Sequence, residues 1–343
     1  MLKSQGGKIM VKVCLVGYGG IARTHKAGYK QELEEKGIGK LVAVCDIDPK
    51  RFEAKVDINL SADDGSKLDF NTYTDLDEML EKEQPDIVTL TLPTFLHKEK
   101  AIYIMKKGYN VFCEKPMSLS YADCLEMLEV SKQTGKKIMV GQCLHFFPEY
   151  AYLKDAVADG RFGKVRSVAM HRLSGPPIWG WENWYMDTKR SNGCLFDLHI
   201  HDVDFVRYAF GEPKKVSCIS KAGYSDYESA FTTLYYDDFA VNAIGDWSLK
   251  NFDFQAYYRV SFEKATLEWK DFKLTVYPVD DKKFEVELPS VNGYGAEVVY
   301  FADYIKNGRD CSKNDPVSAA KTIKLAETLR ESADKGGAII DFE

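Results

Sequence analysis

Two short stretches carry side chains that packing alone does not call for. In "NVFCEKPMS" the triplet Glu114-Lys115-Pro116 sits directly behind an apolar run. A charge at the end of a buried strand is costly unless it is paired or employed, and Pro116 restricts the backbone of the lysine before it. In "NGCLFDLHIHDVD" Asp197 and His201 stand four apart, which makes them neighbours on one helix face, whereas His199 points elsewhere. An ammonium, an imidazole and a carboxylate suit the oxidation of an alcohol. The imidazole, titrating near neutrality, takes the hydroxyl proton; the cation steadies the developing alkoxide; the carboxylate orients the imidazole or holds a neighbouring hydroxyl. The Asp197/His201 spacing fits a plain helix-surface hydrogen bond equally well. His171, His199 and His201 match no recognised zinc spacing, so no metal is expected.

A third stretch, "VGYGGIA", sets Gly17, Gly19 and Ala22 in the pattern G-x-G-x-x-A between a predicted strand and a predicted helix. Gly17 permits a tight turn, Gly19 lets the backbone approach a pyrophosphate, and Ala22 allows helix to pack on strand. Gly20 and Ile21 lie where the helix starts and its N-terminus faces phosphate charge. Asp46 closes the next strand, "LVAVCD", where a carboxylate accepts both adenosine ribose hydroxyls and repels a 2′-phosphate. NAD(H) is therefore favoured, while Lys50 and Arg51 leave NADP(H) open. Asp48 competes for the ribose, and Asp46 also fits a helix cap ahead of Pro49. In "PPIWGWENWYMD" the tryptophans 179, 181 and 184 fit either packing or stacking on a sugar. Arg172, His171 and Trp184 are the candidate substrate contacts.

The elements that must position these residues change character along the chain. "MVKVCLVG", "KLVAVCD", "DIVTLTLP", "NVFC" and "KKIMVG" read as strands, alternating with helices such as "GIARTHKAGYKQELEEK", "LHKEKAIYIMKKG" and "YADCLEMLEVSKQT", the last capped by Ser120. That rhythm predicts a parallel sheet with right-handed crossovers and helices on both faces. "DINLSADDGSKLDF" reads as an acidic loop. After about Gln142 a helix over 148–159 leads into the strand "KVRSVAMHRLS", the irregular aromatic stretch "PPIWGWENWYMD" and a helix near "CLFDLHIHDVDFVRYAFG"; from Val216 to about Val286 strand-like segments with short connections predict an antiparallel sheet, and two helices near 296–306 and 317–335 close the chain. The expected division is a dinucleotide-binding domain over 1–142 and a substrate-binding and oligomerisation domain over 143–343, with the closing helix able to pack back on the first.

Composition narrows the function classes. The 343 residues are 45% apolar and 29% charged, and the net charge of −6 gives no footprint for nucleic acid or an anionic membrane. Eight scattered cysteines without a C-x-x-C pair suggest free thiols in a reducing cytoplasm. "MLKSQGGKIM" lacks the apolar core of a signal peptide, and no stretch approaches about 18 uninterrupted apolar residues, so no membrane partner is expected.

Taken together, "VGYGGIARTH", "LPTFLHKEKAIYIMKKGYNVFCEKPMSLS", "GRFGKV", "NGCLFDLHIHDVDFVRYAFG" and "VSAAKTIKLAETLRESADKGGAI" resemble the Gfo/Idh/MocA oxidoreductases over nearly the whole chain. The resemblance implies an N-terminal Rossmann domain, an α+β domain with a large, mostly antiparallel open sheet, and assembly into dimers or tetramers. It implies that Lys115 lies by the reacting carbon, often ahead of a cis proline. It also makes Asp197 the substrate holder, His201 the general base, Glu114 a neighbour of the nicotinamide ribose, and Pro93 and His97 lining of the cofactor site. The implied activity is hydride transfer between NAD(H) and a secondary hydroxyl of a sugar, glycoside or cyclitol. Two rivals are a redox-neutral enzyme that oxidises transiently and a non-catalytic NAD-binding regulator. His145 stands where relatives carry arginine, and Ser191-Asn192-Gly193 where they often have a glycine pair.

Overall fold

Strands buried on both faces need helices above and below them, and the first third of the chain supplies both. The computed structural model describes residues 10–53 and 69–342; all but the last two residues of "DINLSADDGSKLDF" lie outside them. In chain order the elements are β1 (Val11–Val16), α1 (Gly20–Tyr29), β2 (Gly39–Cys45), β3 (Asn71–Tyr73), α2 (Leu76–Glu83), β4 (Ile87–Leu90), α3 (His97–Lys106), β5 (Asn110–Glu114), α4 (Tyr121–Thr134) and β6 (Ile138–Gly141). The six strands are parallel in the order β3-β2-β1-β4-β5-β6, the doubly wound dinucleotide-binding order. Strand order reverses between β1 and β4, so the carboxyl ends of those strands border the ligand crevice of such sheets.

Chain contacts divide the molecule into two units, and the first takes back a distant segment, Val291–Pro316. The expected division at 142/143, with a closing helix able to pack back on the first domain, allows for such a return. The segment carries helix α9 (Gly293–Asn307), whose Val298, Phe301 and Ala302 join Val13, Leu15, Tyr29, Ile87 and Phe112 in one buried cluster. Each fully buried aliphatic side chain contributes about 1.5–3 kcal/mol. A Cβ on Gly28 of α1 would meet the Gly295 nitrogen at 2.6 Å, so the two helices touch backbone to backbone and only glycine fits there.

The second unit holds α5 (Pro148–Asp159), β7 (Val165–Leu173), α6 (Thr188–Ser191), α7 (Gly193–Asp197), α8 (Ile200–Phe210), β8 (Lys215–Lys221), β9 (Ser229–Tyr235), β10 (Ala240–Asp246), β11 (Gln255–Phe262), β12 (Ala265–Lys270), β13 (Lys273–Pro278) and β14 (Phe284–Glu285). Beyond α9 come α10 (Pro316–Asp334) and β15 (Ile340–Asp341). The nine strands run β14-β13-β12-β11-β7-β10-β9-β8-β15, antiparallel except for the β10–β7 pair. Side chains alternate across the sheet, and register makes the two faces distinct. The cross-strand row Cys218, Thr232, Ala243, Met170, Tyr258, Trp269 and Leu274 is buried, with Tyr150 of α5 packed edge-on against Tyr258 and against Phe205 of α8. Arg207 of α8 donates to the Thr322 hydroxyl and the Ser318 carbonyl of α10, and Thr322 donates to Asp204 at 2.6 Å. Helix α8 is thereby fixed on both sides. Among the described residues no helix is long and apolar enough to cross a membrane.

Candidate active site

The loop after β1 folds as its glycines require. Gly17 has φ +90°, and a Cβ there would meet Leu92 at 2.8 Å and the Thr91 carbonyl at 2.9 Å, so any larger residue would expel the end of β4. The Thr91 hydroxyl donates to the Gly17 carbonyl at 2.6 Å, pinning the two strands together. Around Gly19 the situation is opposite: a Cβ would meet nothing within 4 Å. Helix α1 starts at Gly20 with no side-chain cap and no acidic residue in its first turn, while Ile21 is half-buried and Ala22 fully buried. Uncapped amides at an open glycine turn are suited to a pyrophosphate.

Asp46 follows β2 and is half-buried. Its Oδ2 accepts from the Tyr18 amide of the glycine loop at 2.7 Å and its Oδ1 from the Asp48 amide at 2.9 Å. A carboxylate has about four acceptor positions, so capacity remains for ribose hydroxyls. The cap ahead of Pro49 is Asp48, which accepts from the Lys50 amide. These features fit NAD: an open glycine turn, an uncapped helix start, and a fixed carboxylate one strand away.

At the end of β5, Lys115 is half-buried between two buried neighbours, Glu114 and Pro116, and the Lys115–Pro116 peptide is cis. The Glu114 carboxylate turns inward. It meets His25 Nε2 at 2.5 Å and accepts the Lys115 amide at 3.0 Å. His97, 1% exposed, has Nδ1 2.8 Å from the Pro116 carbonyl and Nε2 2.8 Å from the Leu92 carbonyl. Two acceptors favour the imidazolium, yet burial outweighs them and lowers the pKa, so the neutral ring donates to one carbonyl at a time. Pro93 caps the short turn leading into α3. Pro93 and His97 thus brace the loops after β4 and β5.

In the second unit the expected single helix is broken. Asp197 ends α7, His201 is the second residue of α8, and the His199 amide donates to Cys194, five residues back. That wide, π-type turn rotates α8 relative to α7, so i, i+4 adjacency does not carry across it unmodified; such turns are frequent at functional sites. His199 is fully buried and donates from Nε2 to Thr232 Oγ1 at 3.0 Å, because the threonine proton goes to the Ala243 carbonyl. Burial pushes its pKa down to about 4. From Ser191 to Arg207 every residue is buried except Asp197 and His201.

A family profile described as "Oxidoreductase family, NAD-binding Rossmann fold" matches residues 11–142, and the GFO/IDH/MocA C-terminal domain profile matches 150–268. The chain belongs to the Gfo/Idh/MocA oxidoreductase family. A 2,7-anhydro-N-acetylneuraminate hydratase from Mediterraneibacter gnavus is 36% identical over 151 residues, which is 42% of this chain and 38% of the relative. The first curated relatives are therefore matched over well under half their length. A myo-inositol 2-dehydrogenase from Thermotoga maritima is 26% identical over 77% of each chain. The fold matches an inositol dehydrogenase homolog from Azotobacter vinelandii, solved with NAD+, with a TM-score of 0.81 at 18% identity over the full length of both.

Within this Gfo/Idh/MocA frame several side chains have settled partners. Arg172 and His171 are adjacent on β7 and so face opposite sides of the sheet. Arg172, 5% exposed, donates two bonds to Asp202 of α8, at 2.9 and 3.1 Å, and one to the Tyr150 hydroxyl. Its guanidinium anchors α8 beside His201. His171 lies on the other face against Tyr257. Trp184 is 7% exposed and stacked on Tyr185 with ring centres 3.9 Å apart, whereas Trp179 and Trp181 are 52% and 39% exposed. His145 is held through a 2.8 Å bond from Nδ1 to the Lys313 carbonyl. Asn192 and Gly193 both adopt left-handed backbone, with φ 59° and 67°, and α7 starts immediately after Asn192 despite the absent glycine pair. Sequence spacing did not reveal Glu297, which lies with His25 and Glu114. Its only signal was an acidic residue inside the apolar face of a helix.

Proposed function

We propose that this chain is an NAD(H)-dependent dehydrogenase acting on a secondary hydroxyl of a sugar, glycoside or cyclitol. The observation that carries the reading is the exposure pattern of Ser191–Arg207, in which an otherwise buried stretch opens only Asp197 and His201. Gly17, Gly19, Gly20, Ile21 and Ala22 would hold the pyrophosphate and Asp46 the adenosine ribose. Bound nicotinamide supplies the hydride acceptor or donor. His201 takes the hydroxyl proton, Lys115 offsets the negative charge that develops on oxygen, and Asp197 holds His201 or an adjacent hydroxyl. Trp179 and Trp181 offer open rings to a sugar face. Arg172 contributes by fixing α8 through Asp202. The cytoplasm is the expected compartment, in keeping with eight cysteines that are not joined in disulfides, and a homodimer or homotetramer the expected assembly.

A second reading has its own support. The 36% identical relative is named a hydratase, a reaction with no net change of oxidation state, and the same residues serve an enzyme that oxidises its substrate and then returns the hydride. Incubation with NAD+ and a panel of sugars, glycosides, anhydrosugars and inositols, with absorbance of NADH and mass of the products as readouts, separates the two. Stoichiometric NADH with a product two hydrogens lighter supports the dehydrogenase. A product without net NADH supports the redox-neutral enzyme. No turnover across the panel would overturn both.

A further inference from the structure

Beneath the Glu114-Lys115 turn the first unit buries three titratable side chains that the proposed chemistry does not use directly. His25 of α1 and Glu297 of α9 are fully buried, and Glu114 is 5% exposed. One ligating atom from each lies within 4.8 Å of the others. His25 Nε2 meets Glu114 Oε1, whose partner oxygen accepts the Lys115 amide, while both oxygens of Glu297 lack any hydrogen-bond partner. The walls are aromatic: Tyr29, Phe112 and Tyr294 surround the His25 ring with centres 5.5 to 5.7 Å away. This arrangement cannot drift apart, because Gly28 and Gly295 lock α1 to α9 one turn away.

Charge decides the protonation. His25 Nε2 and Glu114 Oε1 already meet each other; an ionised Glu297 beside them, with neither oxygen hydrogen-bonded, would add an uncompensated, dehydrated charge. The groups facing Glu297 offer no remedy. Tyr29 spends its hydroxyl on Thr89, Lys115 follows Glu114 in the chain but is half-exposed, and Glu32 is already paired with Lys36 and the Asn292 amide. We propose that Glu297 is carried as a neutral carboxylic acid and that Glu297, His25 and Glu114 form a buried positioning triad that fixes the Lys115 amide, and with it the direction of the Lys115 ammonium. Burial and the neighbouring Glu114 charge both raise the Glu297 pKa, which agrees. The positioning half rests on the role proposed for Lys115; the neutral-acid half stands without it.

Three measurements test this. In protein labelled with 13C at glutamate Cδ, one resonance keeps the protonated-acid position from about pH 5 to pH 8, where ordinary glutamates, with pKa about 4.3, are ionised, and Glu297→Gln removes it. The folded pKa lies above the unfolded one, so the parent loses stability as pH rises above about 4.3 while Glu297→Gln does not; the melting-temperature difference, variant minus parent, therefore grows with pH. His25→Leu lowers kcat at least about tenfold while the Kd for NAD stays within about twofold, a split that simple unfolding would not give. Absence of the untitrated resonance in the parent overturns the neutral acid, even if Glu297→Gln fails to fold. A tightly held transition metal, lost in Glu297→Gln, overturns it too. A His25→Leu variant with parental kcat overturns positioning, and Lys115→Met with parental kcat would instead overturn the role of Lys115.

Discussion

Lys115 combines a flexible four-carbon stem with a rigid base: its amide is gripped by Glu114 and its successor's carbonyl meets His97. Replacement by methionine keeps the stem and removes only the charge. Turnover should fall about 10²–10³-fold, the usual cost of losing one preorganised electrostatic donor, with the Kd for NAD within about threefold; stopped-flow turnover and cofactor fluorescence titration measure the two. Asp46 is a second residue with separable duties, since it both anchors the glycine loop through Tyr18 and carries the charge that would exclude a 2′-phosphate. Asp46→Asn keeps an acceptor but loses the charge, so the NAD to NADP preference should shrink about tenfold or more, read as the ratio of kcat/KM. Both residues were legible because their types are expensive where they stand. Glu297 was not, since a lone acidic residue in an amphipathic helix reads as solvent-facing until a distant partner helix is known, and the inward turn of Glu114 depends on the same partner.

At the scale of elements, the spacing of Asp197 and His201 predicts neighbours on one helix face, whereas the two residues lie on either side of a break between α7 and α8. The wide turn at Cys194–His199 has no sequence signature of its own; it arises where buried His199 must reach Thr232 on the sheet. The pKa of His199 is lowered from the ordinary value of 6.5 to about 4. Its neutral form is favoured in the folded state, so this contribution is complete above the unfolded pKa and is lost as pH falls from about 6.5 to about 4. The loss amounts to about 3 kcal/mol, at about 1.4 kcal/mol per pH unit. Thermal melts over that range should show His199→Gln losing less stability on acidification than the parent. A flat parental profile would contradict it. The Arg172–Asp202 pair fixes the same helix, and Asp202→Ala, which strands a buried guanidinium, should cost about 3–5 kcal/mol in urea unfolding. The helix over 148–159 and the β1 to α1 turn were legible because strong local signals and tertiary packing agree there. That a closing helix can pack back was open to the sequence reading; that it is α9 rather than α10 was not, since an apolar face names no partner.

For the whole molecule the informative surface is the open face of the nine-stranded sheet. Register sets Ile219, Phe231, Ile244, His171 and Tyr257 side by side across β8, β9, β10, β7 and β11, opposite the buried row that packs on the helices. Ile219 is 53% and Phe231 44% exposed, and His171 lies against Tyr257. Sequence alternation alone could not assign the faces, because both rows are rich in apolar and aromatic residues; only the position of α5 and α8 decides which is inner. A row that begins with exposed Ile219 and Phe231 and continues through partly buried Ile244, His171 and Tyr257 is a poor surface for a monomer and a good one for a second copy of the same sheet. Light scattering at micromolar concentration should therefore find a dimer or tetramer, and the double variant Ile219→Lys/Phe231→Lys should shift it toward monomer by placing like charges against each other across a two-fold axis. Because neither side chain touches the buried row, the far-ultraviolet circular dichroism should stay at the parental value. A monomeric parent, or a variant that assembles as the parent does, would assign this row no role in assembly.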